Sequence, residues 1–178
     1  MKVCLVYSDV GGVAHYGARK YYHGLGYLSS VLKQAGHETA LIYLWAEPNR
    51  EEFLQRVRDI DPVVVAFSAT THQFPYVAKC ARWLKESLPG ILCIVGGPHP
   101  TLVPEDVLAN PDFDLVCVGE GEYPMLDLVT ALQEGQDIAH IPNLWLRKEG
   151  TLIKNPLRPL LQNLDELPFA DRDLFDFE

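Results

Sequence analysis

The residues of this chain that could bind a ligand are concentrated in three short, polar segments that contain glycine or hydroxyl groups. These segments are 68–72 (Ser-Ala-Thr-Thr-His), 96–101 (Gly-Gly-Pro-His-Pro-Thr) and 119–122 (Gly-Glu-Gly-Glu). Glycine lets a ligand approach the backbone closely, whereas hydroxyls and carboxylates orient it through hydrogen bonds. This mixture suits a neutral, amide-rich ligand, because such a ligand both donates and accepts hydrogen bonds. The candidate binding residues in these segments are Ser68, Thr70, Thr71, Gly96, Gly97, His99, Thr101, Gly119, Glu120, Gly121 and Glu122.

The positions of these segments favour one common site. Each segment follows an apolar, β-branched run that is predicted to be a strand, at 63–67, 91–95 and 115–118. Each also precedes a predicted helix. Ligands of open α/β sheets bind beyond the carboxyl ends of the strands. The three segments are therefore expected to meet at one edge of a sheet.

Each candidate residue also has a purely structural interpretation. Ser68 or Thr71 could cap a helix. Gly96 and Gly97 could serve only a tight turn, and Glu122 could stabilise a helix N-terminus. For any single residue, a structural role explains the sequence as well as a role in ligand binding does. The joint placement at one sheet edge favours a binding site.

Motifs for other chemistries are missing from the sequence. The segment after the first strand has the spacing of neither a P-loop nor a dinucleotide fingerprint, and there is no nucleophile elbow. No residue is therefore predicted to be catalytic. The four cysteines form no Cys-x-x-Cys pair and are expected to be buried, reduced thiols. No spacing imposes a metal site, although four histidines map to the same sheet edge, namely His15, His23, His72 and His99.

Strands and helices are predicted to alternate through residues 1–137, which indicates an α/β domain. The predicted strands are 3–7, 39–44, 63–67, 91–95 and 115–118, and the predicted helices are 24–35, one that follows Asn49, 75–88, 104–109 and 123–134. This alternation predicts a five-stranded parallel sheet in a Rossmann or flavodoxin-like arrangement.

Residues 138–178 are assigned to a hairpin and a linker. Runs at 144–148 and 151–155 flank Glu149-Gly150, which suits a two-residue hairpin turn. The proline-rich stretch after residue 156 ends in apolar residues with no predicted element to bury them. The loop at about residues 8–23 is long for a strand–helix connection, which favours a role facing a ligand or partner.

Composition narrows the possible partners. The chain has 178 residues, of which 48% are hydrophobic, and 15 Lys+Arg against 24 Asp+Glu give a formal charge of -9. Nucleic acid and anionic membranes are therefore not expected as partners. No apolar run reaches membrane-spanning length and the N-terminus does not read as a signal peptide, so a cytoplasmic location is expected.

Several of these segments resemble the N-terminal cobalamin-binding domain of B12-dependent radical S-adenosylmethionine proteins. The matching segments are 24–30 (Gly-Leu-Gly-Tyr-Leu-Ser-Ser), 36–37 (Gly-His), 68–71, 95–101, 104–105, 119–122 and 164–169 (Leu-Asp-Glu-Leu-Pro-Phe). They cover nearly the whole chain in the family's order. The motifs at 96–101 and 119–122 are the most specific.

The resemblance implies a Rossmann-like domain that binds cobalamin, with the corrin ring over the strand ends and the nucleotide tail buried between strands and helices. Residues 68–71 would line the tail or the lower face, residues 96–101 would flank the tail, and residues 119–122 would contact the corrin amides. The residues Gly11, Gly12, Leu25 and Gly26 are also assigned to the cofactor site. Leu25 and Gly26 belong to a segment that matches the family, and Gly11 and Gly12 lie in the long loop after the first strand.

The chain departs from the family pattern in two places. An Asp-x-His-x-x-Gly motif is missing, since Asp9 is followed two places on by Gly11, so base-off binding without a histidine ligand is expected. His15 or His23 could still reach the cobalt. A Cys-x-x-x-Cys-x-x-Cys motif is also missing. The chain is therefore expected to be part of a longer or split protein, whose radical domain would bind S-adenosylmethionine and a 4Fe-4S cluster and partner this one.

The expected function is cobalamin binding in support of methyl transfer or related radical chemistry by the longer protein, with no turnover by this chain alone. Two alternatives remain open. One is a stand-alone module that senses cobalamin or a nucleotide, and the other is a flavodoxin-like flavin binder.

Overall fold

The computed structural model describes residues 1–10 and 21–175, in which strands and helices alternate. The strands are β1 (Lys2–Ser8), β2 (Glu38–Leu44), β3 (Val64–Ser68), β4 (Leu92–Gly96), β5 (Leu115–Cys117), β6 (Leu144–Lys148) and β7 (Thr151–Lys154). The helices are α1 (His23–Gln34), α2 (Arg50–Ile60), α3 (Phe74–Ser87), α4 (Pro98–Leu102), α5 (Pro104–Leu108) and α6 (Glu122–Glu134). Two short 3-10 helices, Leu164–Glu166 and Asp173–Phe175, lie nearer the C-terminus.

The strands form one mixed sheet in the order β2-β1-β3-β4-β5-β6-β7. The first five are parallel, and their order is that of flavodoxin-like sheets. The α/β class and the five parallel strands are confirmed. The sheet has two more strands than expected, because the hairpin β6–β7 pairs antiparallel with β5, with Trp145 opposite Val116.

Helices cover both faces of the parallel part of the sheet. The side chains of Cys4 and Val6 belong to one hydrophobic cluster with residues of α2, α3 and α5. Val3 and Leu5 point to the opposite face and pack with residues of α1 and α6. Burial on both faces explains why the parallel strands are continuous apolar runs in the sequence.

Local sequence signals set several element ends. The Asn49 side chain accepts a hydrogen bond of 3.1 Å from the Glu52 amide and caps α2. Gly135 ends α6 with a left-handed φ of 66°. The hairpin turn has positive φ at both central residues, 53° at Glu149 and 80° at Gly150, as in a type I′ turn.

Helix α4 is an element that the sequence did not predict. Residues 98–102 were expected to belong to a loop, but Pro98 occupies the first position of a short helix. Proline suits that position because its φ is helical and its missing N–H would have no partner there. The segment 96–101 is therefore partly helical.

The expectation that the C-terminal apolar residues lack a partner is wrong. Phe175 is only 3% exposed and belongs to the cluster formed with α1 and α6. The Asp171 amide donates a hydrogen bond of 3.0 Å to the Gly26 carbonyl. Residues 170–175 therefore pack on α1, a contact between residues about 145 positions apart that local patterns do not reveal.

Two further findings concern the whole described region. Within residues 1–10 and 21–175, no helix is long and apolar enough to cross a membrane. All four cysteines are free and buried. Burial raises the pKa of Cys4, Cys80, Cys93 and Cys117 to about 12, which leaves these thiols protonated and unreactive.

Candidate functional site

A cavity of about 190 Å³ lies at the carboxyl edge of the sheet, where β3, β4 and β5 end between α1 and α6. Leucines from α1 and a methionine from α6 form apolar walls, glycines after β4 and β5 expose their backbone, and two glutamates lie at the start of α6. The lining residues are Tyr22, Gly24, Leu25, Leu28, Ala66, Phe67, Ser68, Ile94, Gly96, Gly97, Cys117, Gly119, Glu120, Gly121, Glu122 and Met125.

The loops after β3 and β4 are hydrogen-bonded to one another. The Ala69 amide donates to the Gly96 carbonyl at 3.0 Å, and the His99 amide donates to the Ala69 carbonyl at 3.1 Å. His99 Nδ1 lies 3.1 Å from Thr71 Oγ1. The side chains of Thr71 and His99 thus hold the two loops together.

The loop after β5 is fixed from both sides. Its Gly119 amide donates to Thr101 Oγ1 at 3.0 Å, which ties it to α4. On the other side, Asn143 Nδ2 donates to the Val118 carbonyl at 2.7 Å and Asn143 Oδ1 accepts from the Arg158 amide at 2.9 Å. The three loops therefore form one connected rim around the cavity.

Two of the rim glycines adopt backbone conformations that favour glycine. Gly97 has a φ of 98° and Gly119 a φ of 85°. A Cβ atom at Gly97 would lie 3.1 Å from Ser68 Oγ, and one at Gly119 would lie 3.3 Å from Asn143 Nδ2. The predicted glycines are thus required by both conformation and space.

The two glutamates give the rim a negative, hydrogen-bond-accepting character. Burial raises the pKa of the Glu122 carboxyl, and the nearby charge of Glu120 raises it further. Glu120 Oε2 accepts from the Leu161 amide at 3.1 Å, and Cys117 Sγ donates to the Glu120 carbonyl at 3.8 Å. Amide N–H donors would be attracted to these carboxylates.

The structure brings together eight of the predicted site residues in the cavity lining: Leu25, Ser68, Gly96, Gly97, Gly119, Glu120, Gly121 and Glu122. Four others, Thr70, Thr71, His99 and Thr101, lie in the loop after β3 or in α4 and are not part of the cavity lining. Gly26 packs away from the cavity, where a Cβ would lie 3.4 Å from Ala170 Cβ. Gly11, Gly12 and His15 lie outside the described residues, and His23 is exposed, with its ring 4.8 Å from that of Tyr21.

A second, larger space continues from the cavity rim. This groove of about 660 Å³ shares Gly119, Glu120 and Glu122 with the cavity. Its far wall is formed by residues 157–167, which include the exposed side chains of Leu157, Leu160 and Leu164. Within the described residues, no group of three His, Cys, Asp or Glu side chains could hold a metal ion.

Sequence reasoning missed several residues of the site. Leu28 lies one helical turn after Leu25, a spacing that could have indicated the same face of α1. The Tyr22 ring stacks on that of Tyr7 at 4.8 Å. Asn143 is buried and has a left-handed φ of 68°. From the sequence, Asn143 was assigned no role, because the contacts that give it one are distant in sequence.

The α/β fold and the cavity at the carboxyl edge of its sheet are typical of a cofactor-binding domain, and comparison with known proteins gives the family. Residues 11–129 match the model of the B12 binding domain. The chain therefore belongs to the family of B12-binding domains, whose cofactor is cobalamin. The resemblance noted in the sequence is confirmed.

The relatives include proteins named as methyltransferases and others named as anaerobic magnesium-protoporphyrin IX monomethyl ester cyclases. An uncharacterized methyltransferase of Pyrococcus horikoshii is 33% identical over 160 residues, which are 87% of this chain and 34% of that protein. The cobalamin-dependent radical SAM methyltransferase TokK of Streptomyces tokunonensis is 29% identical over 111 residues, 61% of this chain and 16% of TokK. The chain thus spans about a third or less of these relatives.

Solved structures confirm the fold. The radical enzyme OxsB, with aqua-cobalamin and S-adenosylmethionine bound, superposes with a TM-score of 0.81 at 20% identity, over 97% of this chain and 24% of OxsB. The radical methyltransferase TsrM from Kitasatospora setae gives a TM-score of 0.75 at 18% identity, over 87% of this chain and 30% of TsrM.

The residues at the cavity fit cobalamin. The glycine backbone at Gly97 and Gly119 leaves room that any Cβ would fill. The described lining contains no Lys or Arg, and its walls are largely apolar, which suits an uncharged heterocyclic base. The carboxylates of Glu120 and Glu122 at the rim are suitable acceptors for the amide side chains of a corrin ring.

Proposed function

We propose that this chain binds cobalamin with the nucleotide tail in the cavity and the corrin ring over the carboxyl edge of the sheet. The observation that carries the proposal is the cavity itself, which lies between strand ends and helices and is bordered by glycine backbone. Leu25, Leu28 and Met125 would exclude water from the base of the tail. Backbone at Gly96 and Gly97 would flank it at close approach.

The rim residues would orient the ring. Glu120 and Glu122 would accept hydrogen bonds from corrin amides, as the sequence predicts for this segment. Thr71, His99 and Thr101 would act indirectly, by holding the loops in place. Cobalamin, when bound, supplies a cobalt centre that can carry and transfer a methyl group.

The wider proposal is that the chain functions within a longer radical S-adenosylmethionine methyltransferase. It is supported by those relatives that are named methyltransferases and by the TsrM structure, which contains cobalamin and a [4Fe-4S] cluster. The cluster and S-adenosylmethionine would be bound by a domain outside this chain, in the same or a separate polypeptide. That domain would cover the groove and its exposed apolar residues, so this chain alone would not turn over substrate.

The location of the tail is tested by comparing cobalamin with cobinamide, which lacks the nucleotide tail. Titration of the chain with hydroxocobalamin and with diaquocobinamide, followed by absorbance, is expected to show cobinamide binding about tenfold or more weakly. The variant Leu28→Gln should weaken cobalamin binding and leave cobinamide binding nearly unchanged. Equal affinities of the wild-type chain for the two corrinoids would contradict the proposed position of the tail.

The same titration separates the alternatives. Saturable binding of flavin mononucleotide, with no binding of either corrinoid, would replace the cobalamin proposal by a flavodoxin-like function. Corrinoid binding by a longer protein without a three-cysteine cluster motif would favour a sensor over an enzyme. The matched control for the Leu28→Gln variant is Leu102→Gln, because Leu102 is exposed on α4 outside the cavity lining.

A further inference from the structure

Residues 170–175 form a strap that packs on the side of α1 facing away from the cavity. The Asp171 amide donates to the Gly26 carbonyl at 3.0 Å. The Asp171 carboxylate accepts from Ser29 Oγ at 2.6 Å and forms an ion pair of 2.6 Å with Lys33 Nζ. Three successive turns of α1 are thus attached to one aspartate, whose side chain is only 9% exposed.

The contact extends from α1 to the sheet. Ser29 Oγ also lies 2.6 Å from Thr39 Oγ1 of β2. Since the Ser29 hydroxyl donates its one proton to Asp171, the Thr39 hydroxyl must donate to Ser29. Asp171, Ser29 and Thr39 therefore form a short chain of hydrogen bonds that sets the distance between α1 and the edge of the sheet.

An aromatic contact reinforces the strap. Phe175 is buried, and its ring lies 4.9 Å from that of Tyr21 in an edge arrangement. The next residue, Tyr22, stacks on Tyr7 and lines the cavity. The strap thus contacts the residues that lead directly into the cavity wall.

Helix α1 lies between the strap and the cavity. Gly24, Leu25 and Leu28 line the cavity, whereas Gly26 and Ser29 face the strap. At Gly26, a Cβ would overlap the Tyr21 hydroxyl and contact Ala170. The glycine is therefore needed for the close approach of Tyr21, the residue on which Phe175 of the strap packs, rather than for contact with the cavity.

We propose that Asp171 is a positioning residue for the cobalamin site: docking of the strap holds α1 in the position that shapes the cavity wall. This inference rests on the proposed function. Because the strap and the tail of cobalamin pack on opposite sides of one helix, each stabilises the position of α1 that the other needs. Coupling of this kind is reciprocal, so bound cobalamin must also stabilise the docked strap.

The test compares Asp171→Asn with the remote variant Asn49→Ala. The first variant keeps the size of the side chain but removes the charge that pairs with Lys33, and the second removes the cap of α2. Asp171→Asn is expected to weaken hydroxocobalamin binding by about five- to tenfold. Asn49→Ala should leave the affinity unchanged, although it lowers the melting temperature. Equal affinity of Asp171→Asn and the wild-type chain would overturn the proposal.

Hydrogen exchange of the wild-type chain gives a second test that needs no variant. Saturating hydroxocobalamin should slow exchange of the Asp171 amide at least about fivefold, and unchanged exchange while the corrinoid is bound would overturn the coupling. If the wild-type chain does not bind hydroxocobalamin, the proposed function itself fails. If the wild-type chain binds hydroxocobalamin, but Asp171→Asn does not weaken binding and exchange of the Asp171 amide is not slowed, only the role proposed for the strap is contradicted.

Discussion

A Cβ atom at Gly97 would stand 3.0 Å from the backbone nitrogen of Ala69 and 3.1 Å from its carbonyl oxygen. These two backbone groups are the ones that bond the loops after β3 and β4 together. Gly97 is therefore packed closely against the loop after β3, and its replacement should affect both stability and binding.

Gly97→Ala is expected to destabilise the chain by about 1–3 kcal/mol, because alanine is strained at a φ of 98° and its Cβ crowds rigid backbone. Urea unfolding measures the loss. Gly90→Ala is the control, since a Cβ there meets nothing within 4 Å. A loss in Gly97→Ala no greater than in this control would contradict the close packing.

Asn143 should matter more than its position in a turn suggests. Asn143→Gly removes both side-chain hydrogen bonds without penalising the left-handed backbone, so the expected loss of about 1–3 kcal/mol reflects those bonds together with the greater backbone entropy of glycine in the unfolded chain. Cobalamin affinity should fall as well, because the loop after β5 is released. Asn163→Ala, which removes the exposed cap of a three-residue 3-10 helix, is the control and should cost less stability than Asn143→Gly and leave the cobalamin affinity unchanged. Unchanged cobalamin affinity in Asn143→Gly would show that this side chain does not organise the rim.

The Glu122 carboxyl gives the stability of the cobalamin-free chain a specific pH dependence. Burial raises its pKa in the folded chain, so the native state binds this proton more tightly than the unfolded chain does. The contribution of Glu122 to the free energy of unfolding therefore decreases as pH rises from the ordinary glutamate pKa through the raised native value. Glu122→Gln should remove this decrease and stabilise the chain at neutral pH.

Denaturant titrations of Glu122→Gln and wild type at several pH values between 4 and 8 would measure the difference. The exposed Glu38→Gln serves as the control and should follow the wild-type curve. A Glu122→Gln variant that is less stable than wild type at pH 7 would indicate that the carboxylate is favourably solvated or paired.

The cobalt is expected to be bound base-off without a histidine ligand. The paramagnetic Co(II) form should then show no hyperfine splitting from a protein nitrogen. His23 is exposed at the start of α1, and His15 lies in the segment outside the described residues. Nitrogen splitting that disappears in His15→Ala or His23→Ala would contradict this prediction.

The parallel core could be predicted from the sequence because its signals are local. Apolar runs, the Asn49 cap and Gly135 fixed each predicted element end to within one residue. The rim glycines could also be recognised in the sequence, because glycine is the residue that readily adopts the positive φ found at Gly97 and Gly119. Such features depend on few neighbours in sequence.

Features that depend on distant contacts escaped prediction. The hairpin β6–β7 has the pattern of an isolated hairpin, and only its pairing with β5 makes it part of the sheet. Gly26 was assigned to the cofactor, yet it packs against Ala170 because residues 170–175 return to α1. Asn143 likewise has its partners at Val118 and Arg158. Neither spacing nor composition encodes these pairs.

The central claim, that cobalamin occupies the cavity at the carboxyl edge, is tested most directly by placing a large side chain inside it. Hydroxocobalamin titration of Gly97→Trp and of Gly90→Trp, with calorimetry as a second readout, provides the comparison. Gly97 lines the cavity, whereas Gly90 is an exposed loop residue. Abolished binding in Gly97→Trp with wild-type affinity in Gly90→Trp is the predicted result. Wild-type affinity in a folded Gly97→Trp variant would contradict the account.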